Sequence, residues 1–268
     1  MSKRLLTFVH ISDTHIHLDP DYVSEHINFS SRIPVQKLIE AVNALPMAID
    51  FVMHTGDVAH YPETAEHYHV AREILQQIRY PVYYCPGNHD FVPQFQEHFL
   101  GKSSDEIRIR YDTEFECNGV QIVMMDSHIP PDIEGHSGYL MAQQLDWLDE
   151  ICRADDNRPL VVGIHHHPLL LEAPWLDRIS LKNGIALHNT LLKAKHRLRG
   201  VFYGHIHENV ITVREGISYY SAVSGWFQTQ TWYAAEEPAA GVMQGPGFNL
   251  VTLTETDTFV RPVRIPSA

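Results

Sequence analysis

Five times within the first 207 residues a short apolar run ends abruptly in histidine, aspartate or asparagine: LLTFVHISDTH, IDFVMHTGD, YPVYYCPGNHD, PLVVGIHHHP and VFYGHIH. Runs of this length, rich in Val, Ile, Phe and Tyr, read as buried strands. Between the first three lie segments with helical spacing, PVQKLIEAVNAL (34–45) and PETAEHYHVAREILQQI (62–78). The second has Pro62 near its start and Ala65, Tyr68, Ala71, Ile74 and Leu75 at helical intervals. This alternation predicts an α/β fold with crossover helices, whose functional groups gather beyond the carboxyl ends of the strands.

Further along, IRIRYDTEFECNGVQIVMMDSH (107–128) reads as a hairpin around Asn118-Gly119, since that dipeptide suits a tight turn with positive φ. YLMAQQLDWLDEICRA (139–154) reads as a helix that packs through Leu140, Leu145, Trp147 and Leu148. RPLVVGIHHH, LRGVFYGHIH and GISYYSAVSG supply three strands, and GFNLVTLTETDTFVRPVRI a closing hairpin. No repeat or linker divides the 268 residues, so residues 1–268 are expected to form one domain.

A formal charge of -13 argues against a broad basic surface for a nucleic-acid polymer or an anionic membrane. No apolar run approaches the roughly 18 residues of a membrane span, and the apolar start is broken by His10 and Asp13 before signal-peptide length. The three cysteines, Cys85, Cys117 and Cys152, lack CxxC spacing, which fits a reducing cytoplasm better than a disulfide framework or a thiolate zinc site.

The 19 histidines cluster at segment ends. Asp13-Thr14-His15 and His205-Ile206-His207 have the spacing that turns two side chains toward one centre at a strand end. Gly56, Gly87 and Gly204 stand immediately before such groups, where the chain must turn sharply or approach another group closely. A His/Asp/Asn set without thiolates suits Mn, Fe, Zn or Co, with a carboxylate able to bridge two ions. Two ions about 3.5–4 Å apart clamp a phosphate and lower the pKa of bound water, which is phosphoester-hydrolysis chemistry.

In this order, D-x-H, GD, GNHD, an HHxP-like segment and GHxH over residues 11–207 resemble the calcineurin-like metallophosphoesterases. The resemblance is closest to the branch that hydrolyses cyclic nucleotides and glycerophosphodiesters, and GYLMAQQLDWL is similar to that branch's segment before the histidine strand. It implies a four-layer fold, two mixed β-sheets packed face to face and flanked by helices. It also implies two transition-metal ions: Asp13, His15 and His207 on one, Asn88, His165 and His205 on the other, with Asp57 bridging. A metal-bridging hydroxide is the implied nucleophile, a small phosphodiester the implied substrate, and Asn88 and His89 the implied phosphate contacts. Homodimers are common among such proteins, but the sequence singles out no interface.

The His165-His166-His167-Pro168 segment admits two frames. Matching Pro168 to the second proline of the family's His-His-Pro-Pro makes His165 the ligand, sets His167 near the site rim beside substrate and leaves His166 as a structural bystander. A frame shifted by one puts His166 on the metal. Of the remaining histidines, His60 is the one best placed for substrate contact, and His17 and His54 are neighbours of ligand positions. His67, His69 and His98 fall on predicted helices and are expected at the surface.

Trp226, Phe227, Trp232 and Tyr233 are expected in packing or a subunit contact, with a substrate-pocket roof as the alternative. LGKSS (100–104) is not a P-loop, because Gln96 stands at the first glycine position and no strand precedes it. No G-x-S-x-G or H-E-x-x-H motif suggests a serine hydrolase or zincin. Phosphomonoesterase, DNA nuclease and a non-catalytic interaction module are the rival readings.

Overall fold

A computed structural model describes residues 2–24, 27–128, 135–237 and 245–266. Its strands are β1 (Arg4–Ile11), β2 (Phe51–His54), β3 (Val82–Tyr84), β4 (Thr113–Cys117), β5 (Val120–Met125), β6 (Leu160–Ile164), β7 (Leu198–Tyr203), β8 (Ile211–Arg214), β9 (Ile217–Ser221), β10 (Gly247–Thr254) and β11 (Thr258–Arg264). The helices are α1 (Arg32–Asn43), α2 (Ala65–Leu75), the short α3 (Val92–Gln94), α4 (Ala142–Arg153), the short α5 (Pro174–Asp177) and α6 (Gly184–Leu191).

Two mixed sheets result, one of five strands in the order β11-β10-β1-β2-β3 and one of six in the order β4-β5-β6-β7-β9-β8. Strands β1, β2 and β3 run parallel, as do β5, β6, β7 and β9, with antiparallel strands at the edges. Alternation along each strand explains the layering. Leu6 and Phe8 of β1 face Ile122 and Met124 of β5 in a core between the sheets, while Val9 and Ile11 face α1 and α2. On the far side Val123 and Met125 pack with α4 and α6.

The inter-sheet core is dense in aromatic rings. Phe8 stacks on Phe51 with centroids 4.9 Å apart and meets Phe202 of the opposite sheet edge-on at 5.2 Å. Such pairs add about 0.5–1.5 kcal/mol each beyond burial, and Phe8→Ala would cost about 3–5 kcal/mol through the cavity it leaves. Asn118 and Gly119 close the β4–β5 hairpin at φ 51° and 78°, the left-handed pair their sequence demands. The fold differs from expectation in the additional strand β8 and helices α3, α5 and α6, and His67, predicted at the surface, is buried beside His17. Among the described residues no helix is long and apolar enough to cross a membrane.

Candidate metal centre

Every one of the seven expected ligands lies just beyond the carboxyl end of a parallel strand. Asp13 and His15 follow β1, Asp57 follows β2, Asn88 follows β3, His165 follows β6, and His205 and His207 follow β7. Backbone hydrogen bonds lock these loops together: Asp13 N–H donates to Gly56, His15 N–H to Asp57, and Gly204 N–H to His165. Across the sheets His205 N–H donates to the Asp13 carboxylate at 3.0 Å.

The backbone there is strained. Asp13, His15, Asp57, His205 and His207 have φ between 43° and 68°, so five of the seven sit in the left-handed region. That conformation costs on the order of 1–3 kcal/mol per non-glycine residue and persists where the surroundings enforce it, often at functional sites. Two glycines make the close approaches. A Cβ on Gly56, itself at φ 98°, would stand 2.6 Å from His165 Nδ1, and one on Gly204 would stand 2.5 Å from Asp13 Oδ2.

The side chains form two adjoining groups. Asp13 Oδ1 lies 3.3 Å from His207 Nε2, which lies 3.1 Å from His15 Nε2. His165 Nε2 lies 3.0 Å from Asn88 Oδ1 and 3.2 Å from His205 Nδ1. Asp57 Oδ2 stands between the groups, 3.5 Å from His15 Nε2 and 3.4 Å from His165 Nε2. Burial alone would raise the Asp57 pKa, but His165 and His89 hold it well below the usual carboxylate range, so it is an anion.

Tautomers decide what these contacts are. A backbone carbonyl only accepts, so His165 Nδ1 donates to Thr55, His205 Nε2 to Ile179 and His207 Nδ1 to Phe227. In the neutral rings the nitrogens left over are lone pairs, and all three point inward. His205 Nδ1, Asn88 Oδ1 and Asp57 Oδ2 then present lone pairs to a lone pair on His165, which is repulsive unless a cation intervenes. Burial opposes a His165 cation, yet Asp57 and Asp13 override it and hold the ring near pKa 9. A proton on His165 is thus the one remedy the second group supplies for itself, and a divalent cation would satisfy the same acceptors. The donor set fits metal, with carbonyl-oriented imidazoles of the kind that metal ligands show.

His166 is fully buried and engaged elsewhere, accepting from Ser127 Oγ at Nδ1 (2.7 Å) and donating from Nε2 to the His136 carbonyl (3.1 Å). His167 is not at the rim. It is fully buried and stacked on His205 with centroids 5.9 Å apart. Burial holds it neutral, with a pKa near 3, and its ring backs that of His205. His60 lies 3.3 Å from His15 Nδ1, and His89 Nε2 lies 4.0 Å from Asp57 Oδ2. Burial lowers the first to about 3 and the second to about 4, so both are neutral donors or acceptors at neutral pH. His54 is internal, bonded to Thr14 Oγ1 and Gly56 N–H.

Two further residues shape the site without having been given a role from the sequence. His136, alone in a polar loop, accepts from the Asn88 amide at 3.2 Å and thereby turns Asn88 Oδ1 toward His165. Asp90 accepts from Val58, Ala59 and Gly87 N–H groups, joining the Asp57 loop to the Asn88 turn. The GNHD motif contained Asp90 but gave it no role. Of the aromatic segment, Trp226 is buried and donates to Phe29, and Phe227 packs on His207 at 4.3 Å. Trp232 and Tyr233 are exposed.

Residues 6–209, which include all seven expected ligands, match the calcineurin-like phosphoesterase family. A 3′,5′-cyclic-nucleotide phosphodiesterase of Nostoc sp. is 26% identical over 99% of this chain and 95% of the relative. The glycerophosphodiester phosphodiesterase GpdQ of Enterobacter lignolyticus is 28% identical over 77% of this chain and 73% of its own. A dimetal phosphatase from Danio rerio superposes with a TM-score of 0.67 at 14% identity, covering 96% and 99% of the two chains, a likeness of fold. On its motifs, its paired sheets and this match over most of its length, the chain belongs to the calcineurin-like phosphoesterase family.

Proposed function

We propose that this chain is a dinuclear metal-dependent phosphodiesterase acting on small diesters, 3′,5′-cyclic nucleotides or glycerophosphodiesters. The observation that carries the reading is Asp57 Oδ2, an anion set 3.5 and 3.4 Å from one imidazole of each group. Asp13, His15 and His207 hold one ion in this reading, and Asn88, His165 and His205 the other. Fe, Mn, Zn and Co all suit these donors. When bound, the ions offset phosphate charge and activate water for in-line attack.

The chain's own residues supply the rest. Asp57 contributes the negative charge that keeps two cations close. His89 N–H donates to Asp57 Oδ1 at 2.8 Å, fixing both groups. Its neutral ring offers an N–H to a phosphate oxygen or the departing alkoxide, and the Asn88 amide stands beside it. His60, against the back of His15, completes the wall on that side. Names of the relatives support the diester class, and the buried, closely spaced donors support metal.

Residues 1–268 act in this reading as one domain, because β10 and β11 lie beyond the matched region yet complete the first sheet. A reducing cytoplasm is the setting that three free cysteines fit, and a homodimer is the assembly that the resemblance implies. The test is a panel of mono- and diesters, with cyclic AMP and glycerophosphoethanolamine among the diesters, assayed with Fe, Mn, Zn and Co. Diester preference is expected, and a clear monoester preference overturns the reading.

A further inference from the structure

Beside the first ligand group the surface opens into a cavity of about 430 Å³, within the usual size range of small-molecule sites. Its aromatic wall is His17, Tyr22, His60 and Tyr61, and Asp19 and Glu63 also line it; among the described residues no lysine or arginine does. The cavity is one ring away from the chemistry. His60 touches His15, and the Tyr61 ring lies 3.9 Å from that of His89. Tyr22 stacks on His17 at 3.9 Å and meets His60 at 5.2 Å, so its ring is braced from two sides.

We propose that this cavity binds the base of a nucleotide diester, with Tyr22 and Tyr61 as its flat faces and the two carboxylates accepting from an exocyclic amino group. This rests on the diesterase reading and goes further, naming cyclic nucleotides with amino-bearing bases as the preferred substrates. The chemistry argues for it in three ways. Aromatic faces stack on any base. Carboxylates accept from base amino groups and repel a carbonyl in the same place. The want of a basic lining disfavours a second phosphate, so the charged end of the substrate belongs at the metal ligands and the uncharged end here.

The test compares cyclic AMP, cyclic IMP and glycerophosphoethanolamine as substrates, with adenosine binding followed separately by saturation-transfer NMR on the full chain. Tyr22→Ala is expected to lower kcat/KM for cyclic AMP about tenfold or more, the scale of one lost stacking contact, while the base-free diester changes by less than about twofold. Tyr22→Phe keeps the ring and keeps the ratio. The wild type should prefer cyclic AMP to cyclic IMP, and Asp19→Asn with Glu63→Gln should shrink that preference. Equal losses on both diesters, or adenosine binding untouched by Tyr22→Ala, overturn the base site. If the wild type cleaves no diester, the functional reading falls, and the adenosine measurement still decides the cavity.

Discussion

His165 Nε2 and His205 Nδ1 face each other at 3.2 Å, each ring having committed its other nitrogen to a backbone carbonyl. Neutral, they are two lone pairs in contact. A proton on His165, whose pKa is held near 9, relieves that repulsion, a bound cation would take the proton's place, and any ligand held by the folded state alone raises stability by mass action. Metal addition to chelator-treated protein should therefore raise Tm by several degrees. His205→Ala should show a smaller rise and lose one of two bound equivalents by elemental analysis. Unchanged stoichiometry in the variant would remove His205 from the ligand set.

Asp57→Asn and Asn88→Ala should each lower diester turnover about 100-fold or more, since the bridging anion or a direct ligand is lost from metal-assisted hydrolysis. Circular dichroism should remain that of the wild type. Near-normal turnover in protein verified to carry metal would refute the assignment of those residues.

His136→Ala should weaken the ion beside Asn88 by about tenfold, the usual cost of removing a group that orients a ligand. Without an acceptor at 3.2 Å the Asn88 amide is free to flip its nitrogen toward His165. Calorimetric titration should show one weakened and one unchanged site. If both sites weaken together, His136 acts on the fold rather than on the amide.

His10 is buried in the first sheet, bonded to Thr55 Oγ1 and Asn249, with burial lowering its pKa to about 3. The unfolded chain takes up this proton near pH 6.5 and the folded chain does not. Stability from this group is therefore fully present above pH 6.5 and declines as pH falls toward 3. His10→Gln should flatten the acid limb of Tm against pH between 6.5 and 4. Parallel limbs in variant and wild type would show that His10 does not set it.

The strand ends and their polar groups were legible because each apolar run is long, uninterrupted and followed at once by His, Asp or Asn. The His165–His167 run was harder, for a physical reason. Strand alternation predicted sides for its three rings, but β6 ends at Ile164, and beyond it the backbone bends, so alternation no longer applies. That is why His167 lies beneath His205 and not at the rim. The burial of His67 comes from its contact with His17, a tertiary contact invisible to local periodicity. Strand β8 is short and largely exposed, and α6 opens on Asn183-Gly184 without a strong apolar stripe, so neither announced itself. His136 and Tyr22 lack any motif; only folding brings them to Asn88 and His60.

Each ligand group takes donors from both sheets: Asp13 and His15 meet His207, while Asp57 and Asn88 meet His165 and His205. Neither half of the protein can assemble a complete group by itself. A fragment ending before residue 205 lacks a donor from both groups, and lacks β10 and β11 of the first sheet as well. If these groups hold metal as proposed, metal capture reports the docking of one sheet on the other, and a chain cut short before residue 205 presents no finished site to the ions around it.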